Sequence, residues 1–207
     1  MAQRPIMDAG PGLNFFSIHK ERLLFEVLGA LCVPEAVRDE IERKARSDHR
    51  FEAAERVLAK LPERLMSVLP DDATDELASA VHRICGIPIE ERRNMGKDLG
   101  ETMVVAHAAV AAEAGANVLV LIDDRGGIRM ASSEARRLDR LRKQGQPVGR
   151  IQLVRTVTVL EQAARKKAIP DRQAMRKLYE RLRTLDDGLE PLEQTSLMSL
   201  QCWTSSS

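Results

Sequence analysis

An α/β fold, a parallel sheet of four to five strands flanked by helices, is predicted from three features of the chain. Short apolar runs alternate with helical patterns along most of its length, which favours crossover units over hairpins. The run NVLVLI at 117–122 is almost continuously apolar and rich in Val, Leu and Ile, as a strand covered on both faces requires. Acidic residues follow apolar runs at Asp8 and at Asp123–Asp124, the place where parallel sheets bind ligands, outside the carboxyl ends of their strands.

In chain order, Arg4–Met7 is predicted as the first strand, followed by a turn-prone AGPG and a helix over Leu13–Leu28. Ala30–Val33 is a second strand. Pro34 opens the next helix, with acids early and bases late as the helix dipole prefers. Phe51–Leu69 is expected to be helical, with a break at Pro62. The stretch PDDATDELASAVHRICG offers cap residues, an apolar stripe and a stop at Gly86. IPIEERRNMGKDLGE is a polar connector. An Ala-rich helix then runs to a Gly115 cap, and the strand NVLVLI follows. DDRGG is expected as a loop before a basic helix. GRIQLV is a further strand, and two helices split at Ile169–Pro170 close the fold. Residues 1–187 form one domain, with 47–98 as a helical insertion and 188–207 as a flexible, Ser/Thr-rich tail.

The chain has 207 residues, enough for one full core, and a net charge of +1, so bulk charge selects neither nucleic acid nor membrane. Three widely spaced cysteines without a CxxC argue against a zinc site and a disulfide framework. They suit a reducing compartment, and a cytoplasmic location is expected. The weakly polar stretch 104–122 contains His107, Glu113, Gly115 and Asn117, which argues against a membrane span. His107 is expected to be a satisfied core histidine.

Four positions carry the chemistry. Asp8, Glu101 and the pair Asp123–Asp124 fall at strand ends or first helical turns, and Glu40 lies about two turns into the helix after the second strand. Each has an ordinary reading: a helix cap for Asp8, a solvated ion pair for Glu40, a dipole-stabilising acid for Glu101, a turn and cap for Asp123–Asp124. As a set on one sheet edge they would repel, and a divalent cation would relieve the repulsion. Oxygen-only ligation favours Mg²⁺ or Mn²⁺ over Zn²⁺. The basic run Arg136, Arg137, Arg140, Arg142 and Lys143 is either a solvated face or a contact for RNA phosphates, and the same two readings apply to Arg165, Lys166 and Lys167 and to the face Arg176, Lys177, Arg181 and Arg183. With only 3% aromatic residues, base-stacking platforms are not expected.

These motifs resemble the PIN-domain ribonucleases, including the VapC-like toxins of type II toxin–antitoxin systems. IMDAGPGLNF is similar to the family's first strand and turn, and CVPEAVRDEIER to its Pro-x-x-Val-x-x-Glu stretch. LGETMVVAHAAVAAEAGANVLVLIDDRGGIRMA is similar to its Gly-Glu helix, apolar strand and Asp-Asp ending. The likeness spans residues 4–185. Gly10 stands where relatives often carry Ser, and Met103 where they often carry a second acid. The resemblance implies a PIN-like three-layer sandwich and an Mg²⁺- or Mn²⁺-dependent endoribonuclease. Asp8, Glu40, Glu101 and Asp124 would be catalytic, and Asp8, Glu101, Asp123 and Asp124 metal-binding. It further implies RNA as substrate, an antitoxin protein as partner and a homodimer. The alternatives are an interaction or regulatory protein with a degraded site, and a phosphate-handling enzyme using the same acidic edge.

Overall fold

The computed structural model describes residues 3–203. It is a three-layer α/β sandwich. Its sheet holds β1 (Ile6–Met7), β2 (Leu31–Pro34), β3 (Met66–Leu69), β4 (Asn117–Leu121) and β5 (Arg150–Val154). All neighbours are parallel, in the order β3-β2-β1-β4-β5. β1 is the shortest strand and the central one. Ile6 pairs with Cys32 on one side and with Val120 on the other. The chain winds outward from β1 to β3 on one side and from β4 to β5 on the other. The order therefore reverses at β1, and a crevice opens beyond the carboxyl end of that strand. Asp8 is the next residue.

The helices are α1 (Ala9–Ser17), α2 (Glu21–Leu28), α3 (Glu35–Ser47), α4 (Glu52–Leu58), α5 (Asp75–Cys85) and α6 (Ile89–Arg93). They continue with α7 (Leu99–Glu113), α8 (Arg125–Lys143), α9 (Thr156–Arg165) and α10 (Arg172–Leu185). α7 is buried almost all round through Met103, Val104, Val105 and four alanines, as a helix apolar on every face must be. Thr74 caps α5 by accepting from the Leu77 amide at 3.2 Å, and Gly86 ends it at φ 80°, as its sequence predicts.

Four expectations change. AGPG is the first turn of α1, not a loop. Pro11 is tolerated there because the first turn has no intrahelical acceptor for its amides. The single helix expected to Leu28 is two, broken where His19 takes φ 55°. The segment expected to be helical to Leu69 contains β3, a four-residue edge strand without in-and-out alternation: Met66 is buried and Val68, on the same face, is exposed, so nothing there outweighs the helical pattern around it. RGG after Asp124 is the opening of α8, not a flexible loop.

The expected flexible tail is also packed as far as it is described. Leu189, Leu192, Leu197 and Leu200 are buried, and Trp203 Nε1 donates to the Leu197 carbonyl at 2.8 Å. Its Ser/Thr content hid an apolar spacing. Residues 204–207 lie outside the described part. Among the described residues, no helix is long and apolar enough to cross a membrane.

Candidate active site

At the carboxyl end of the sheet lies a cleft of about 830 Å³, and five predicted acids line it: Asp8, Glu40, Glu101, Asp123 and Asp124. Asp8 is placed by the central strand, its amide bonded to the Leu121 carbonyl at 2.9 Å. It precedes α1 without a capping bond to that helix's later amides, and only the Ala9 and Gly10 amides at the helix start stabilise its charge. It is 4% exposed. Burial, then the nearby charges of Glu101 and Glu40, push its carboxyl up to about 7.

Glu101 stands in the first turn of α7. Burial and then Asp124, with Asp98 and Glu40 beyond, push it up to about 6. Its Oε2 is enclosed with no hydrogen-bond partner. Glu40 enters from α3, its Oε1 paired with Lys44 at 2.7 Å. Gly100 makes room for it. A methyl group there would lie 2.8 Å from Glu40 Oε2 and 3.7 Å from Asp8 Oδ1, so both carboxylates crowd the same glycine.

The pair Asp123–Asp124 divides its work. Asp123 accepts from the Thr156 amide at 2.9 Å and from the Thr156 hydroxyl at 2.5 Å, which anchors the start of α9. Burial raises its carboxyl, and those two bonds oppose the rise. Asp124 caps α8, with Oδ1 accepting from the Gly126 and Gly127 amides at 2.5 and 3.0 Å. Its residue is exposed, and no bond within the protein uses its second oxygen among the described residues. Both ordinary readings, cap and anchor, are therefore realised beside the cleft.

The predicted basic run does not join the acids. Asp124 caps the start of α8, so Arg136 to Lys143 lie roughly 18–28 Å further along its axis, at about 1.5 Å per residue. Arg137 binds Glu113 and Glu134, and Arg142 binds Asp139 and the Gly149 carbonyl. The cations that line the cleft are Lys44, Arg50, Arg125 and Arg183, of which only Arg183 belongs to a basic face singled out from the sequence. The former tail supplies a wall through Leu189, Glu190 and Pro191, beside Asp186 at the end of α10. Asn14 donates to Asp186 at 2.8 Å, and Arg155 to Glu190 at 2.9 Å. His107 is satisfied by Asp71 at 2.8 Å, away from this chemistry. In the 51–86 region, Phe51, Ala54, Val57, Leu77, Ala80 and Val81 are all buried within the chain.

Compared with models of known protein families, with curated proteins and with solved structures, the chain matches none.

Among the described residues, no three His, Cys, Asp or Glu side chains close into a cage for a metal ion. The acids instead frame an open, all-oxygen site containing one enclosed, unpartnered carboxylate oxygen. Such a set suits a small hard cation that keeps several waters and takes only one or two carboxylates from the protein. It does not suit Zn²⁺, which takes nitrogen and sulfur.

Proposed function

We propose that this cleft is the active site of a divalent-cation-dependent phosphodiesterase that cleaves RNA, in the manner of the PIN-domain ribonucleases its motifs resemble. The crowding of Asp8 and Glu40 at Gly100, with Glu101 beside them, carries the reading. A fold gains nothing in stability by burying carboxylates that repel. A cation between them turns that cost into binding energy.

Asp8 and Glu101 would hold Mg²⁺ or Mn²⁺, with Asp124 offering its unused oxygen and Glu40 a further charge. The bound ion would supply an activated water and neutralise charge on the scissile phosphate. Asp8, poised near neutral pH, is able to hold or release a proton at its carboxylate. Asp123 serves by fixing Thr156 and the cleft wall. The resemblance selects RNA among phosphodiesters, and it extends the proposal to an antitoxin partner.

The test is calorimetric titration with Mn²⁺ beside cleavage of single-stranded RNA. Wild type should bind Mn²⁺ saturably and cut only with it, and Asp8→Asn and Glu101→Gln should lose both while staying folded. A wild-type protein that binds no Mn²⁺ overturns the reading.

A further inference from the structure

The acidic cleft poses an electrostatic problem. Nine acidic residues among those described line it and face any polyanion that enters, and the basic run of α8 lies too far along its helix to offset them. The compensating charge must come from the cleft's own cations. Two of the four are already engaged: Lys44 with Glu40 at 2.7 Å, and Arg50 with Asp48 at 2.6 Å. Arg125 and Arg183 make no ion pair among the described residues.

These two differ. Arg125 is exposed on the first turn of α8. Arg183 is half-buried in the last turn of α10, and its Nε is enclosed without an acceptor. A cation near a helix C-terminus complements the dipole, which explains the charge at this position. It does not explain a guanidinium N–H enclosed with no acceptor among the described residues, an arrangement that costs stability until an acceptor arrives. The side chain lines the same cleft as Asp8 and Glu101. A guanidinium fork matches the oxygens of a phosphate, and partial burial means little rotamer freedom is lost on binding.

We propose that Arg183 is a substrate-binding residue that grips a backbone phosphate of the RNA beside the scissile one; the inference rests on the phosphodiesterase reading of the cleft. It gives the end of α10 a purpose: Arg183 sets a guanidinium without an ion pair among the described residues against a cleft to which the following residues add Asp186, Asp187 and Glu190.

The experiment uses the full chain and a fluorescent single-stranded oligouridylate, with Ca²⁺ in place of Mn²⁺ to separate binding from cleavage. Affinity is read by anisotropy across a series of KCl concentrations, and Mn²⁺ binding is measured separately. Arg183→Gln should weaken oligonucleotide binding about tenfold at one salt concentration and flatten the slope of log K against log salt by about 0.7, the value for one phosphate contact on a single strand. Mn²⁺ affinity should not fall. If Arg183→Gln fails to fold, Arg183→Lys carries the test: it should keep the slope and lose affinity. Unchanged affinity and slope in a folded variant overturn the inference while leaving the metal site standing. Loss of Mn²⁺ binding in Arg183→Gln also overturns it, since the residue would then support the acids instead of the substrate. A wild type that binds Mn²⁺ but no oligonucleotide overturns both readings.

Discussion

Glu40 Oε2 lies 2.8 Å from the point where a methyl group on Gly100 would sit. The missing side chain at the start of α7 therefore sets how closely a carboxylate from α3 approaches Asp8. Gly100→Ala separates site from fold. Alanine gains about 0.8–1 kcal/mol of helix propensity over glycine. The methyl displaces the end of a flexible side chain, which offsets part of that gain. Thermal unfolding should show stability within about 1 kcal/mol of wild type. Mn²⁺ affinity should drop by about 10-fold or more, as when the support of a metal ligand is disturbed. Unchanged affinity would remove Glu40 from the site.

Asp8 makes the metal-free protein sensitive to pH. Its folded-state carboxyl sits at about 7, against 3.8 for the unfolded chain, and Glu101 at about 6 against 4.5. Between those values the folded state binds more protons than the unfolded one. Stability therefore falls as pH rises from about 4 to about 7, by an amount on the order of a few kcal/mol. Below about 4 both states are protonated and the penalty is absent. Urea unfolding in EDTA at pH 5 and pH 7.5 should show the fall, and Asp8→Asn should remove most of it. Saturating Mn²⁺ should restore stability at the higher pH, because the ion binds the deprotonated carboxylate. A flat profile in the wild type would show that Asp8 is not held as described.

Asp123 and Asp124 are adjacent in sequence yet should respond oppositely. Asp123→Ala strips the Thr156 amide and hydroxyl of their acceptor. Thr156 is fully buried, so the loss should cost about 1–3 kcal/mol in a melt. Asp124→Ala removes an exposed N-cap, worth about 1 kcal/mol. Cleavage should suffer more from the second change than from the first. The reverse order would place the metal nearer α9 than α8.

Much of this arrangement was legible in the sequence, for identifiable reasons. Burial forces an apolar run, so β4 declared itself, and the acids behind β1 and β4 followed from the parallel-sheet rule. β3 did not, because four residues at a sheet edge carry too little alternation to compete with helical neighbours. The basic run of α8 was visible as charge, but its direction was not. Only the immediate start of the helix at Arg125 shows that it leads away from the acids. Arg183 was legible as part of a basic face but not as a neighbour of the acids, and Asn14 was not legible at all, because both placements depend on contacts from distant parts of the chain. Asn14 meets Asp186 across 172 positions.

The C-terminal segment yields the last prediction. Read as a tail, it would tolerate any change. Leu197 is fully buried, and the Trp203 indole donates to its carbonyl. Leu197→Ala should cost about 2–5 kcal/mol, the range for a leucine emptied from a packed core. The damage should also reach the cleft, because the same segment supplies the wall at Leu189, Glu190 and Pro191. Hydrogen exchange should show faster exchange at 186–203 and at the Asn14 contact in the variant, and little change in β4. Mn²⁺ binding, which depends on acids from β1, α3 and α7, should survive while oligonucleotide affinity falls, because Arg183 sits one helical turn before the segment that holds α10 in place. A variant as stable as wild type would return the segment to the status of a dispensable tail.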